Sequence, residues 1–128
     1  MIGLLLLAAA AAAEPTCGGL APLDVLLGEA KSPRKVCKEP GGALLSPECV
    51  GTGASGCLAL KAAEKARSVK LPPTNGGSNP SAVACSLVGG KVVLGRETGG
   101  DERCFCSFSD HSLLSCGGLF TYRGSGGS

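Results

Sequence analysis

Large side chains are scarce in this chain. Among its 128 residues there is no tryptophan, one tyrosine and three phenylalanines, whereas 21 residues are glycine. Small side chains bury little apolar area, which is worth roughly 25 cal/mol per Å². Burial alone would therefore struggle to offset the conformational entropy that is lost on folding. We expect a small fold whose stability comes partly from another source.

The few aromatic rings are confined to one stretch, between Phe105 and Tyr122. Aromatic side chains bury the most area per residue. The best-specified core is therefore predicted to be built on residues 104–108 and the elements beside them. The predicted core residues are Phe108, Phe120, Tyr122, Val92 and Leu94.

Charge of one sign is also lacking, since 12 basic residues stand against 10 acidic ones and the formal net charge is +2. This small excess of positive charge does not indicate that the protein binds nucleic acid or an anionic membrane. We expect no nucleic-acid partner, and protein partners are favoured.

Cysteine, in contrast, is abundant, with eight residues in the chain. An even number in a small, core-poor protein indicates a disulfide framework. Each well-formed bond would contribute about 3 kcal/mol. Such bonds require an oxidising compartment, so the protein is predicted to be secreted, periplasmic or lumenal. The cysteines are Cys17, Cys37, Cys49, Cys57, Cys85, Cys104, Cys106 and Cys116.

The N-terminus is compatible with that location. Residues 2–13 form an uncharged apolar run that ends in three alanines, and Glu14 and Pro15 follow. This pattern is typical of a signal segment with a cleavage site, although no basic residue precedes the run. A run of this length is too short to span a bilayer, which needs about 20 residues. The alternative is a retained apolar anchor, and residues 1–13 would then be the only membrane contact.

Residues 14–71 are predicted to form a helical module held by four cysteines. Residues 22–31 place Leu23, Leu26 and Leu27 at helical spacing. Residues 31–35 are interpreted as a solvated basic turn. The strongest helix prediction covers residues 57–69, where an alanine stripe faces one side. That stripe consists of Ala59, Ala62, Ala63 and Ala66, followed by Val69.

Residues 72–78 combine two prolines with a polar glycine and serine run, which predicts a linker between two modules. In the second module, Asn79 and Pro80 are typical of a helix start. The helix is predicted over residues 80–88 and is followed by a hairpin of strands 91–95 and 103–108. Residues 125–128 form a glycine and serine tail. The predicted fold class is a small, disulfide-rich α+β protein with a helical N-terminal module.

Strand geometry narrows the disulfide pairing of the second module. Side chains alternate along a strand, so Cys104, Cys106 and Phe108 share one face, while Phe105 points to the other. Two cysteines at i and i+2 of a strand are badly oriented for a bond with each other. We favour Cys85–Cys106 and Cys104–Cys116 over the swapped pairing. The other four cysteines pair among themselves in one of three ways.

A set of short motifs in residues 79–124 resembles a known family. The motifs are NPSAVAC at 79–85, GGKV at 89–92, Gly99-Gly100, CSFSDHS at 106–112, Cys116 and YRG at 122–124. In order and spacing they are similar to a bacterial domain that carries the name hemolysin and is formally a domain of unknown function. The resemblance implies a short extracytoplasmic module, often carried by lipoproteins. It implies no mechanism.

This sequence departs from the family pattern in several places. His111 stands where the family has glycine, and Ser112 and Cys116 are two residues further apart than in the family pattern. Gly117 and Gly118 replace an acidic pair, the family's last cysteine is missing, and Cys104 is extra. Family disulfide pairings therefore cannot be transferred intact, and residues 14–78 lie outside the resemblance.

Residues that could carry chemistry are few. His111 is the single histidine, and its neighbours Asp110 and Ser112 are interpreted as turn residues rather than as a catalytic set. The cysteine spacing does not match a zinc site. Cys104 and Cys106 lack the spacing of a redox pair. No phosphate-binding loop is present in the sequence. We predict no catalytic residue, no metal and no cofactor.

The sequence therefore predicts a non-enzymatic, exported or lumenal structural or protein-binding protein, as an accessory subunit of a larger assembly. The alternative is a secreted effector that acts on membranes or inhibits a protease. An enzyme that uses His111 is a third hypothesis.

Overall fold

The computed structural model describes residues 17–51, 56–71 and 79–120. The predicted signal (1–13), linker (72–78), Tyr122 and the tail (125–128) lie outside the described residues. The elements, in chain order, are β1 Leu20–Leu27, β2 Ala30–Lys38, β3 Leu44–Leu45, α1 Leu58–Ala66, α2 Pro80–Leu87, β4 Lys91–Glu97, β5 Glu102–Ser107 and β6 Leu113–Ser115, with 3₁₀ turns at Pro40–Gly42 and Pro47–Cys49.

The six strands form one closed barrel in the order β1-β2-β3-β6-β5-β4, and every neighbouring pair is antiparallel. This architecture contradicts the predicted helix-plus-hairpin α+β fold. It also joins the two predicted modules, because β1 pairs with β4 and β3 pairs with β6. Strands on both sides of residues 72–78 therefore share one sheet.

The largest correction concerns residues 22–31, which were predicted to be helical. They belong to the β1–β2 hairpin, in which Leu27 pairs with Ala30 around a turn that begins at Gly28. Gly28 adopts a φ of 65°, which glycine reaches without steric cost. The basic residues 31–35 accordingly lie on β2 and not in a turn. The physical reason is an alternation of period two, since Ala21, Leu23 and Val25 are buried while their neighbours face outward.

The interior of the barrel is an apolar cluster without cysteine, which we call the inner core. Phe105 is fully buried in it and is the largest side chain that it contains. Gly95 leaves room for that ring, since a Cβ atom there would lie 2.7 Å from Phe105 Cδ1. The inner core consists of Ala21, Leu23, Val25, Val36, Leu44, Val93, Phe105 and Leu113.

A second apolar cluster, the outer core, lies between α1, α2 and the outside of the barrel wall. The alanines that were predicted to face one side of α1 are buried there, so that part of the helix prediction is confirmed. Phe108 is buried in the outer core, and Phe120 is partly buried against it. Its buried members are Leu45, Cys49, Cys57, Ala59, Ala62, Ala63, Ala66, Ala84, Cys85, Val88, Cys106, Phe108, Leu114 and Leu119.

Val92 and Leu94, which were predicted to lie in the core, face outward from β4. Val92 and Leu94 are 39% and 44% exposed, whereas the alternate residue Val93 is buried in the inner core. The side chains of a strand alternate, and here the odd-numbered positions face the barrel interior. Val92 lies opposite Cys106, whose disulfide ties α2 to the barrel wall, yet both Val92 and Leu94 stay exposed on the outside of β4.

Four disulfides fasten the fold. Cys85 bonds Cys106 and Cys104 bonds Cys116, which are the two pairs that strand geometry favours. The other two bonds are Cys17–Cys37 and Cys49–Cys57. The Cys85–Cys106 bond joins α2 to β5, and Gly90 passes so close to both sulfur atoms that a Cβ atom would collide with them.

The seam between β3 and β6 is short, with Leu45 and Leu114 as its one register pair. Two buried serines extend it. Ser46 Oγ accepts a hydrogen bond from the Leu113 amide at 2.7 Å, and Ser115 Oγ accepts one from the Leu44 amide at 3.0 Å. These hydroxyls satisfy backbone donors that a longer ladder would have paired, which allows so short a strand to close the barrel.

Candidate functional site

The turn formed by Asp110, His111 and Ser112 lies against the beginning of α1. Asp110 Oδ2 accepts a hydrogen bond from the Leu58 amide at 2.9 Å. Ser112 Oγ accepts one from the Ala59 amide at 3.1 Å. The first amides of a helix have no partner within the helix. The N-cap residue, Cys57, caps none of them with its side chain, because its sulfur is bonded to Cys49.

The same two side chains also bind each other. Ser112 donates to Asp110 Oδ1 from its hydroxyl at 2.6 Å and from its amide at 3.0 Å. Partial burial raises the pKa of Asp110, but the hydrogen bonds from the Ser112 hydroxyl and from the Leu58 and Ser112 amides outweigh that effect. The net result is a pKa below the ordinary value of a carboxyl group. Asp110 therefore serves as a charged cap for α1 that is supplied from a distant loop.

His111 shapes this turn through its backbone. Its φ of 70° is left-handed, its amide donates to the Phe108 carbonyl at 2.9 Å, and its own carbonyl accepts from Arg34 Nη2 at 2.6 Å. Ser112 is only 1% exposed and its hydroxyl is already committed to Asp110. A hydroxyl that is this buried, and that also accepts from the Ala59 amide, is not accessible to a substrate. The geometry assigns these residues to holding α1.

The structure brings the cysteines together only as disulfides, and none of those in the described residues is free. Within the same described ranges there is no group of three or more His, Cys, Asp or Glu side chains that could hold a metal ion.

The open side of the barrel offers a different kind of site. We call it the β1/β4 face, and it consists of Leu26, Leu27, Val92 and Leu94. Leu27 is 52% exposed, so it is as open as the two residues of β4. Leu26 lies directly opposite Leu94 in the register and shares the outer face with Val92 and Leu94, whereas Leu27 has the opposite parity along β1; all four side chains line one groove. Aliphatic side chains gathered in this way favour contact with another molecule over contact with water.

The two strands under this face separate at one end. The β1–β4 register runs from the pair Leu23 and Glu97 to the pair Leu26 and Leu94. β4 continues to Lys91 in its register with β5. Over 91–93, β4 therefore has no register partner on its β1 side among the described residues. The separation leaves a groove of about 390 Å³ between the end of β1 and the beginning of β4.

Charged groups frame the groove on both sides. Lys91 lines it directly, and Lys31 lies opposite Leu26 on β2. At the far end of the face, Arg96 forms an ion pair with Glu102. Lysine side chains therefore border the end of the groove where β1 and β4 separate. At the other end of the face, the charges of Arg96 and Glu102 neutralise each other.

Two other clefts are smaller and less distinctive. One, of about 280 Å³, lies between α1 and Phe108, with Lys61 and Lys65 on its rim. The other, of about 320 Å³, is lined by Arg34, Lys35, Pro47 and Glu48 and has little apolar surface. Neither combines apolar side chains with an unpaired stretch of strand.

Comparison with known proteins found no family model, no curated protein and no solved structure that matches this chain. The resemblance of residues 79–124 to the hemolysin-named family therefore stays a prediction. In the described part of the chain, no helix is long and apolar enough to cross a membrane.

The sequence analysis missed the β1/β4 face because it placed both halves of it elsewhere. Leu26 and Leu27 were assigned to a helix, and Val92 and Leu94 to the core. One signal was available, since an apolar residue occurs at every position from Val92 to Leu94. Such a strand has apolar side chains on both faces and needs cover on both. The barrel covers only one of them.

Proposed function

We propose that this chain is a non-catalytic, exported binding module that docks on a protein partner through the β1/β4 face. The observation that carries the proposal is the exposure of Leu27, Val92 and Leu94 around one groove, on a protein that has few large apolar side chains. While these side chains are exposed, the fold lacks the stabilisation that burying their apolar area would provide. A partner that covers the three side chains would bury this area and gain that stabilisation.

The disulfides support the exported location. All eight cysteines are paired, and disulfides of this number form and persist in oxidising compartments. The Asp110 turn supports a non-catalytic role, because its polar groups are bonded to α1. An accessory subunit of a larger assembly is the form of binding module that fits both features.

The test is site-specific cross-linking in the cells that make the protein. A photo-crosslinking benzophenone side chain in place of Leu94 is expected to give one discrete protein adduct, which Val92→Lys abolishes. The matched control is the same side chain in place of Leu87, which is 47% exposed on α2 and does not line the groove. Equal adducts from the two positions, or none from position 94, would refute the proposal.

The alternative is a membrane-active effector, for which the same apolar face and its rim of lysines would be the active surface. The oxidised protein is expected to leave dye-loaded vesicles of anionic phospholipid intact. Leakage that disappears on Leu94→Lys but persists on Leu87→Lys would favour the effector and count against the binding module.

A further inference from the structure

We infer that the partner contributes an extended segment, which binds as an added strand beside residues 91–93 of β4. The segment would place apolar side chains on Val92 and Leu94 on one face of the sheet and on Leu27 on the other. The inference rests on the proposed function, since it specifies the kind of partner that the β1/β4 face accepts.

The first argument is the unpaired backbone of β4. A strand within a sheet has neighbours on both sides, and here the β5 side is paired from Lys91 to Arg96. On the β1 side the register stops at Leu94. Backbone N–H and C=O groups on such an open stretch are a template for another strand. Strand addition to an open sheet edge is an established mode of peptide recognition.

The second argument is the way in which β1 ends. The turn that begins at Gly28 takes the chain away into β2, so the pairing of β1 ends at Leu26, and residues 91–93 at the beginning of β4 have no register partner on β1. The groove therefore occupies the place that a longer β1 would fill. Its walls are the end of β1 on one side and the beginning of β4 on the other. An extended segment fits this space in width and direction, whereas a helix, about 10 Å across, is wider than one strand spacing of about 4.8 Å.

The third argument is the size of the apolar surface. Leu27, Val92 and Leu94 are each about half exposed. A standard protein interface uses roughly 20–30 residues a side. Three such side chains are too few to hold a second copy of this chain by apolar contact. They suffice for one short strand, whose successive side chains point alternately to the face of Val92 and Leu94 and to the face of Leu27.

The fourth argument is charge. Lys91 lines the groove and Lys31 lies beside Leu26, and neither forms an ion pair within the described residues. An acidic side chain at one end of the bound segment would meet these ammonium groups. The predicted ligand is therefore a short segment of alternating apolar residues with an acidic residue at one end.

The test begins with a library of random peptides displayed on phage, selected against the full oxidised protein. The probe is the best selected peptide, synthesised with both ends capped. A second version carries N-methyl groups on alternate backbone amides. We expect an alternating apolar pattern in the selected sequences. Methylation should weaken binding by about tenfold for each ladder hydrogen bond that is lost.

Variants of the protein separate this inference from the proposed function. Val92→Lys and Leu94→Lys should abolish binding, and Leu87→Lys should leave it unchanged. If the two β4 variants abolish binding but methylation of either set of alternate amides has no effect, the face docks a partner and strand addition is wrong. If no selected peptide depends on Val92 or Leu94, both the inference and the proposed function fail.

Discussion

The inner core and the outer core are both well buried, but they are built from different side chains. The inner core contains Phe105 and leucine, valine and alanine, with no cysteine. The outer core contains five alanines and four cysteines, which form two disulfides. The barrel interior therefore depends on apolar burial, with the Cys17–Cys37 and Cys104–Cys116 bonds outside it, whereas the packing of the helices depends on the other two disulfides and on the Asp110 cap. The β1/β4 face belongs to the barrel, so its shape rests on the inner core.

The largest effect should come from emptying the inner core. Phe105→Ala removes its only aromatic ring and leaves a cavity that the strands cannot close, so we expect a loss of about 3–5 kcal/mol in the free energy of unfolding. Urea denaturation of the oxidised protein measures it. Phe108→Ala in the outer core is the matched control and should cost less, because Phe108 lies beside an open cleft. Equal losses would contradict the distinction between the two cores.

The next effect comes from removing the bond that ties α2 to the barrel. The Cys85–Cys106 bond spans 21 residues, and the pair Cys85→Ala and Cys106→Ala should lower the free energy of unfolding by about 3 kcal/mol. The Cys49–Cys57 bond spans only 8 residues and should cost about 2.5 kcal/mol when it is removed in the same way. The comparison is made by urea denaturation under identical conditions. No loss in the first variant would mean that burial alone holds α2.

A smaller effect, of about 1 kcal/mol, is expected from Asp110→Ala, which removes the cap of α1. Asp110→Asn keeps an acceptor oxygen and should retain most of the stability at neutral pH. The two variants are compared with the unmodified protein by urea denaturation at pH 7. If Asp110→Ala costs nothing, the amides of α1 find other partners.

The same residue predicts a dependence on pH with a definite sign. The pKa of Asp110 is lower in the folded protein than in the unfolded chain, where it is about 3.9. The stabilisation is therefore present above that value and is lost as the pH falls through the folded pKa. Unfolding midpoints measured from neutral to acid pH should fall more steeply for the unmodified protein than for Asp110→Asn. Parallel curves would contradict the charged cap.

The smallest effect should come from the open side of β4. Leu94→Lys changes an exposed residue and should alter the free energy of unfolding by less than about 0.5 kcal/mol. Val93→Lys, one position away, places a charge in the inner core and should lower the unfolding midpoint strongly. Thermal denaturation of both variants measures the contrast. A large loss in Leu94→Lys would mean that the face is structural and not available for binding.

Local features of this fold could be predicted from the sequence. Asn79 caps α2, with its side chain accepting from the Ser81 amide at 3.0 Å, as an asparagine before proline indicates. The hairpin of β4 and β5 follows from apolar runs on either side of a glycine turn. Alternation of side chains along β5 also points to the two disulfides that the structure contains there. Each of these depends on neighbours in the chain.

Closure of the barrel could not be predicted in this way. The β1–β4 pairing joins Leu23 to Glu97, which lie far apart in the sequence, and no local pattern specifies it. The helix predicted at β1 was wrong because two periodic patterns overlap in this segment. Leucines at 23, 26 and 27 fit helical spacing, and Ala21, Leu23 and Val25 fit the alternation of a strand equally well. Once β1 is a strand, β4 has a partner and Val93 faces inward.

The candidate site was missed for the same reason. A binding face on a barrel exists only because two strands meet on its outside and no helix covers them. Neither Leu27 nor Leu94 carries a local signal of exposure, since each is as apolar as a core residue. The Asp110 turn was correctly interpreted as a turn, but its role as a cap for α1 depends on contact with Leu58, 52 residues away.

The most direct test of the two-core account is hydrogen exchange on a variant that lacks both outer-core disulfides. The variant replaces Cys49, Cys57, Cys85 and Cys106 with alanine and keeps the Cys17–Cys37 and Cys104–Cys116 bonds. The account predicts that amides of α1 and α2 lose their protection while those of β1, β4 and β5 keep theirs. Simultaneous loss of protection in helices and strands would contradict it, because the barrel would then depend on the same bonds as the helices.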